Sequence, residues 1–234
     1  MLFSAPFFRP AHVAFGATAL ALAACGGASS DEPADGASTG ADTGSEVIDD
    51  SVTGALAEMT LGSPDAKVTV IEYASVTCPH CATFHETIYP SIKAEYIDTG
   101  KVRFVFREFP TSPANLSIAG SMLARCAADK GGKDAYFLVL DSLFKTQRTW
   151  AYGGEPRPEL VKIAAQAGMS EDELDECINR QELLDLINEN VNVGRDKYDI
   201  RSTPSFVVNG TKRNFSKWDE ISDTLDEALE KAGE

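Results

Sequence analysis

Two cysteines stand two residues apart in SVTCPHCATF, residues 75–84, with Pro79 and His80 between them. Three kinds of chemistry use such a pair: metal ligation, a structural cross-link and thiol–disulfide exchange. A zinc site wants about four ligands, as two such pairs or one pair plus histidines. After residue 25 the histidines are His80 and His85, and no second C-x-x-C follows, so that ligand set is incomplete. A purely structural bridge between residues three apart removes little unfolded-chain entropy. Exchange chemistry asks for two thiols in a short loop that follows a strand and opens a helix, which this sequence supplies.

The flanking elements position that pair. KVTVIEYA, 67–74, is apolar and β-branched without strict alternation, the pattern of a buried central strand. Residues 83–98 carry Phe84, Ile88, Ile92, Tyr96 and Ile97 at helical spacing, so a helix begins close to Cys78. KVRFVFREF, 101–109, is a second strand, and strand, helix and strand make a βαβ unit with a right-handed crossover. Free N–H groups and the dipole at a helix start favour negative charge, which makes Cys78 the candidate nucleophile. Cys81, one turn on, is expected to lie deeper as its partner. Pro79 restricts the first turn without losing a needed hydrogen bond. His80 adds a donor or a positive charge beside Cys78, and a lower thiol pKa makes a better leaving group.

Beyond residue 110 the pattern changes. Helices are predicted over 114–129, 134–146, 158–168, 170–179 and 181–198, with Ser170 and Glu173 spaced as a capping box. Strand character returns at 204–209 and 211–215, joined through Asn209-Gly210, a strong hairpin signal. A terminal helix over 217–231 closes the chain. The fold class is therefore α/β, a βαβ half and a ββα half with a helical block inserted between them.

The C-P-H-C quartet, the strand before it, the inserted helices and the late Thr203-Pro204 together resemble DsbA-type thioredoxin-fold oxidoreductases over roughly residues 55–232. The resemblance implies a thioredoxin fold with an all-helical insertion at about 112–198, within a domain running from 54 to 234. It implies a redox-active Cys78–Cys81 disulfide with no separate cofactor and no metal. It makes Pro204 the cis-proline beside that disulfide, with Thr203 lining the substrate surface. DsbA itself commonly has valine where Thr203 stands, and threonine occurs in related isomerases, so the direction of exchange stays open. It also gives Glu72, an acid inside Val-Ile-Glu-Tyr, the role of moving the proton at the buried cysteine. The alternative for Glu72 is a solvent-facing carboxylate, since a buried acid without a role is costly. Cys126 and Cys177 both fall in the helical block. Leftover cysteines in an oxidising compartment tend to pair, and some DsbA-like proteins carry a second disulfide there.

The chain's net charge of −15 is unevenly placed. Residues 26–50 hold seven acidic residues and no Lys or Arg, and the absence of a basic stripe argues against nucleic acid as a partner. In residues 1–25 one charge, Arg9, precedes the apolar run 13–24 and Cys25. Twelve residues suit a secretory signal and fall short of the ~20 that span a bilayer. LAAC at 22–25 resembles a bacterial lipoprotein signal that would lipidate Cys25; an ordinary cleaved signal is the alternative. Residues 26–53 are small, polar and acidic, the composition of a disordered tether. His85 and Glu86 read as solvated helix residues, Lys101, Arg103 and Arg107 as a solvated face or edge, and Trp150 and Tyr152 as loop packing or a groove border.

The function that follows is an extracytoplasmic thiol:disulfide oxidoreductase, periplasmic and membrane-anchored by its lipid, acting as a monomer. Its partners would be reduced or unfolded secreted proteins and a membrane protein that reoxidises the pair. A reductase or isomerase kept reduced in the cell is the first alternative, and a Cu(I)-type chaperone using the two thiolates is another.

Overall fold

The computed structural model describes residues 48–233. The signal, the lipidation site at Cys25 and most of the tether lie outside the described residues. The centre of the sheet is β2, Val68–Ala74, with nearly every residue buried. It pairs in parallel with β3, Val102–Glu108, and antiparallel with β4, Ser205–Val208. Short edge strands β1, Met59–Leu61, and β5, Thr211–Arg213, complete the order β1-β3-β2-β4-β5. The β4–β5 turn has positive φ at both Asn209 (44°) and Gly210 (79°), as a two-residue hairpin requires.

Strand alternation sends successive side chains to opposite faces. Val68, Val70, Ala74, Phe104 and Phe106 face one core layer, with α1, Pro79–Thr87, α3, Ala114–Lys145, and α8, Trp218–Gly233. Ile71, Tyr73, Val105 and Val207 face the other, where α7, Gln181–Tyr198, brings Val191 and Tyr198 and the N-terminal segment brings Ile48. Glycine lets α7 come close to the sheet: a Cβ at Gly194 would lie 2.8 Å from Tyr73 Cε1.

Two readings are corrected, that of one helix over 83–98 and that of solvated arginines on β3. The helix expected over 83–98 breaks after α1 into α2, Tyr89–Ile92, and a π-helical turn, Lys93–Ile97. Pro90 has no N–H to donate and its ring crowds the preceding turn, so the chain departs from α geometry there. The two helices expected over 114–129 and 134–146 both form within α3, and non-helical Gly131 and Gly132 (φ 66°) turn the chain between them, so that Leu143 comes back against Gly120. Arg103 and Arg107 are not solvated. Both are buried on β3, where Asp50 (2.6 Å) and Glu58 (2.7 Å) from the N-terminal segment neutralise them, while Lys101 remains exposed. Alternate charges on a strand did not disclose that acidic chain from outside the sheet covers this face.

The insertion also holds α4, Gln147–Trp150, α5, Pro156–Gln166, and α6, Glu171–Cys177. Ser170 and Glu173 form the reciprocal capping box at the start of α6. Cys126 on α3 and Cys177 on α6 are joined by a disulfide. At the end of β3, buried Glu108 lies 2.7 Å from Arg125 Nε and accepts from Tyr136 Oη and Asn190 Nδ2. Arg125 donates its terminal nitrogens to Glu108 Oε2 and to the carbonyls of Ala55 and Ala57, the kind of added hydrogen bonding that offsets the cost of a buried ion pair. The cluster ties β3 to α3 and α7.

Candidate active site

The loop after β2 delivers Cys78 to the N-cap of α1, with Pro79 at the first helical position. Buried hydroxyls fix its path. Ser75 Oγ lies 3.0 Å from Thr77 Oγ1 and 2.8 Å from Ser117 Oγ on α3, and accepts from Thr111 N. Gln147, from α4, donates its side-chain amide to the carbonyls of Val76 (2.8 Å) and Cys78 (3.0 Å), and Tyr152 Oη donates to Thr77 O. Side chains from the insertion thus satisfy the carbonyls of Val76 and Thr77, and Gln147 adds a second donor to Cys78 O, which also accepts from Ala82 N.

Cys78 and Cys81 are unbridged and differ in their surroundings. Cys78 retains a little exposure, 8%, whereas Cys81 is sealed, 0%. The Cys78 thiol is drawn down to about 5, first by hydrogen bonding from Cys81, then by the Thr203 side chain and the backbone N–H groups of Cys81 and His80, against the opposing effect of burial. Burial pushes the Cys81 thiol well above its usual range, reinforced by Cys78 and by Glu72. Two thiols one turn apart are therefore unlike: one favours thiolate, the other holds its proton. His80 itself is exposed, and what it supplies to Cys78 is its backbone N–H.

The Thr203–Pro204 peptide bond is cis, and Cys78 Sγ donates to Thr203 O at 3.4 Å. A second cis bond, Ser112–Pro113, precedes α3. Glu72, on β2, is fully buried with His85 Nε2 2.9 Å from its Oε2, and its Oε1 has no hydrogen-bond partner. The reading of His85 as a solvated helix residue is corrected: its side chain is 7% exposed and stacks on Phe144, centroids 4.2 Å apart. The α3 ring covers one face of α1, and helical spacing alone did not show which face. Glu86 is exposed as read.

A groove of about 1220 Å³ runs between α1 and the second half of α3, its lining including Pro79, His85, Leu138, Phe144 and Tyr152. Trp150 is buried and donates to Leu143 O, so it packs the insertion, while half-exposed Tyr152 borders this groove. Gln147 was invisible in the sequence because its partners lie about seventy residues away. Among the described residues no three His, Cys, Asp or Glu side chains gather as a metal site.

A thioredoxin family model matches residues 55–227, most of the chain. A Rickettsia typhi protein named as a protein-disulfide oxidoreductase is 37% identical over 173 residues, covering 74% of this chain and 62% of that protein. The crystal structure of Wolbachia pipientis alpha-DsbA1 superposes with a TM-score of 0.68 at 30% identity, over 75% of this chain and 92% of that one. The chain belongs to the DsbA-like branch of the thioredoxin family. The fold of this DsbA-like chain is also that of oxidised BdbD from Bacillus subtilis, TM-score 0.66 at 24% identity, over 76% of this chain and 98% of that one. The chain spans about 62% of the length of the rickettsial relative.

Proposed function

We propose that the chain is an extracytoplasmic protein-disulfide oxidoreductase that donates the Cys78–Cys81 disulfide to secreted or envelope proteins. The observation that carries this reading is the asymmetry of the pair. A Cys78 thiol held near 5 at a helix start stabilises the reduced enzyme and is a good leaving group. Both properties favour giving a disulfide away over breaking one.

In the proposed cycle a substrate thiolate attacks Cys78 Sγ. The Cys78–Cys81 bond breaks, and Cys81 leaves as a thiolate that takes a proton, with Glu72 as the buried donor. A second substrate thiol, deprotonated, then attacks the substrate sulfur of the mixed disulfide, and Cys78 departs as its stabilised thiolate. Two electrons pass from the substrate to the enzyme pair. A membrane redox partner would take them off again. The cis-proline loop beside Cys78 leaves backbone with which an extended substrate can pair in strand fashion. The signal and the lipidation of Cys25 would place the enzyme at the periplasmic membrane surface as a monomer, and the Cys126–Cys177 bridge is in keeping with an oxidising compartment.

The test is stoichiometric transfer. Oxidised protein is mixed with a reduced, unfolded two-cysteine polypeptide and both are followed by mass after acid quenching. The expected result is one disulfide gained by the polypeptide per disulfide lost by the enzyme, and none with Cys78→Ala. An enzyme that keeps its disulfide in the presence of excess substrate would overturn the donor reading.

A further inference from the structure

Glu72 is held by one oxygen only. Its Oε2 meets His85 Nε2 at 2.9 Å, and its Oε1 is buried with no hydrogen-bond partner. A buried carboxylate oxygen left without a donor is costly and calls for an explanation. His85 in turn is fixed on several sides: stacked on Phe144 (4.2 Å), tilted against Tyr89 (4.7 Å), and edge-on to Phe84 (5.5 Å) and Phe106 (6.1 Å). Aromatic packing from α1, α2, α3 and β3 thus locks one imidazole against one carboxylate of β2, the strand that runs into the Cys78–Cys81 turn. Among the described residues Glu72 is the group that hydrogen-bonds to the ring. The charged side chains that share its groove are Glu86 on α1, Lys93 after α2, Asp134, Asp141 and Lys145 on α3, and Arg148 on α4.

We infer that His85 is a positioning residue for thiol–disulfide exchange: it holds Glu72 through Oε2 so that Oε1 stays free to take the proton of the Cys81 thiol and return it. The inference rests on the exchange chemistry proposed above. The step that needs it is ring closure during reoxidation. Cys81 gives its proton to Glu72, its sulfur bonds to Cys78 Sγ, and the group held on Cys78 leaves as a thiolate. Burial holds the Cys81 proton tightly, which supports the need for a fixed acceptor there. Placed acceptors of this kind accelerate proton transfer by roughly a hundredfold or more.

Glutathione disulfide separates the two steps. Reduced protein is mixed with it between about pH 6 and 9, quenched in acid at short times, and weighed intact. Attack by the Cys78 thiolate gives the Cys78–glutathione adduct; closure removes it and forms the Cys78–Cys81 bond. His85→Phe keeps a ring for Phe144 to stack on and removes the nitrogen, whereas His85→Gln retains an amide that can donate to Oε2. For His85→Phe adduct formation should match the wild type within about twofold. Closure should slow by roughly tenfold or more, with a steeper rise with pH as hydroxide replaces the carboxylate. His85→Gln should recover most of the closure rate. Closure in His85→Phe at the wild-type rate and pH profile would overturn the inference, and so would an equal loss in both steps, which would mean the ring merely props α1. Failure of the wild type to form any adduct at Cys78 would instead remove the exchange reading itself.

Discussion

At the scale of the residue, two identical side chains are made chemically unlike by three residues of sequence. The helix start places Cys78 among donors, and the following turn carries Cys81 into the core. The Thr203 side chain adds to the lowering of the Cys78 pKa that begins with Cys81, and the Thr203 carbonyl borders the sulfur, accepting from Cys78 Sγ. Alkylation of the reduced protein as a function of pH should give a midpoint of about 5 for Cys78. Thr203→Val, which removes the hydroxyl and keeps the shape, should move that midpoint upward; an unchanged midpoint would mean that the hydroxyl does not act on the sulfur. The same shift links acidity to stability. With Cys78 at about 5 when folded and 9.0 as an unperturbed thiol, its thiolate stabilises the reduced protein above the unfolded value. That contribution is lost progressively as pH falls toward the folded value. The stability advantage of reduced wild type over reduced Cys78→Ser should therefore shrink between about pH 8 and about pH 5, measured by denaturant titration at each pH. An advantage that grew on acidification would contradict the assignment.

At the scale of the element, the active-site loop is held from two sides of the molecule. Strand β2 and helix α1 set its ends, and Gln147, Ser117 and Tyr152 from the insertion hold its middle. On the opposite face of the sheet α7 closes against Tyr73 through Gly194. Gly194→Ala gains helix propensity of at most ~1 kcal/mol, but its methyl would meet a buried ring at 2.8 Å. Overpacking of this kind costs about 1–3 kcal/mol, so the net effect should be destabilising, read as a lower midpoint of chemical unfolding. The strands and helices that frame the cysteines were legible in the sequence because their patterns are local: an apolar run for β2, the period of α7, Asn209-Gly210 for the hairpin. What sits on top of an element was not. Arg103, Arg107 and His85 looked solvated because nothing within their own strand or helix discloses Asp50, Glu58 or Phe144. Gln147 and the edge strand β1 escaped for a related reason: their partners are distant, and three residues carry no period.

At the scale of the whole molecule, the helical insertion does more than enlarge a thioredoxin fold. It carries the Cys126–Cys177 bridge, one wall of the groove beside Pro79, the Phe144 ring behind His85 and three of the loop's hydrogen-bonding side chains. The Cys78–Cys81 turn is therefore held jointly by the sheet and by the insertion. The central claim, that this pair works as a disulfide donor, is tested most directly by its state in the cells that produce it. Rapid acid quenching followed by mass-tagging of free thiols would report Cys78 and Cys81 as found. A donor kept charged by a reoxidising partner should be trapped predominantly as the Cys78–Cys81 disulfide. A pair trapped predominantly as thiols would contradict the account and make the protein a reductase or isomerase.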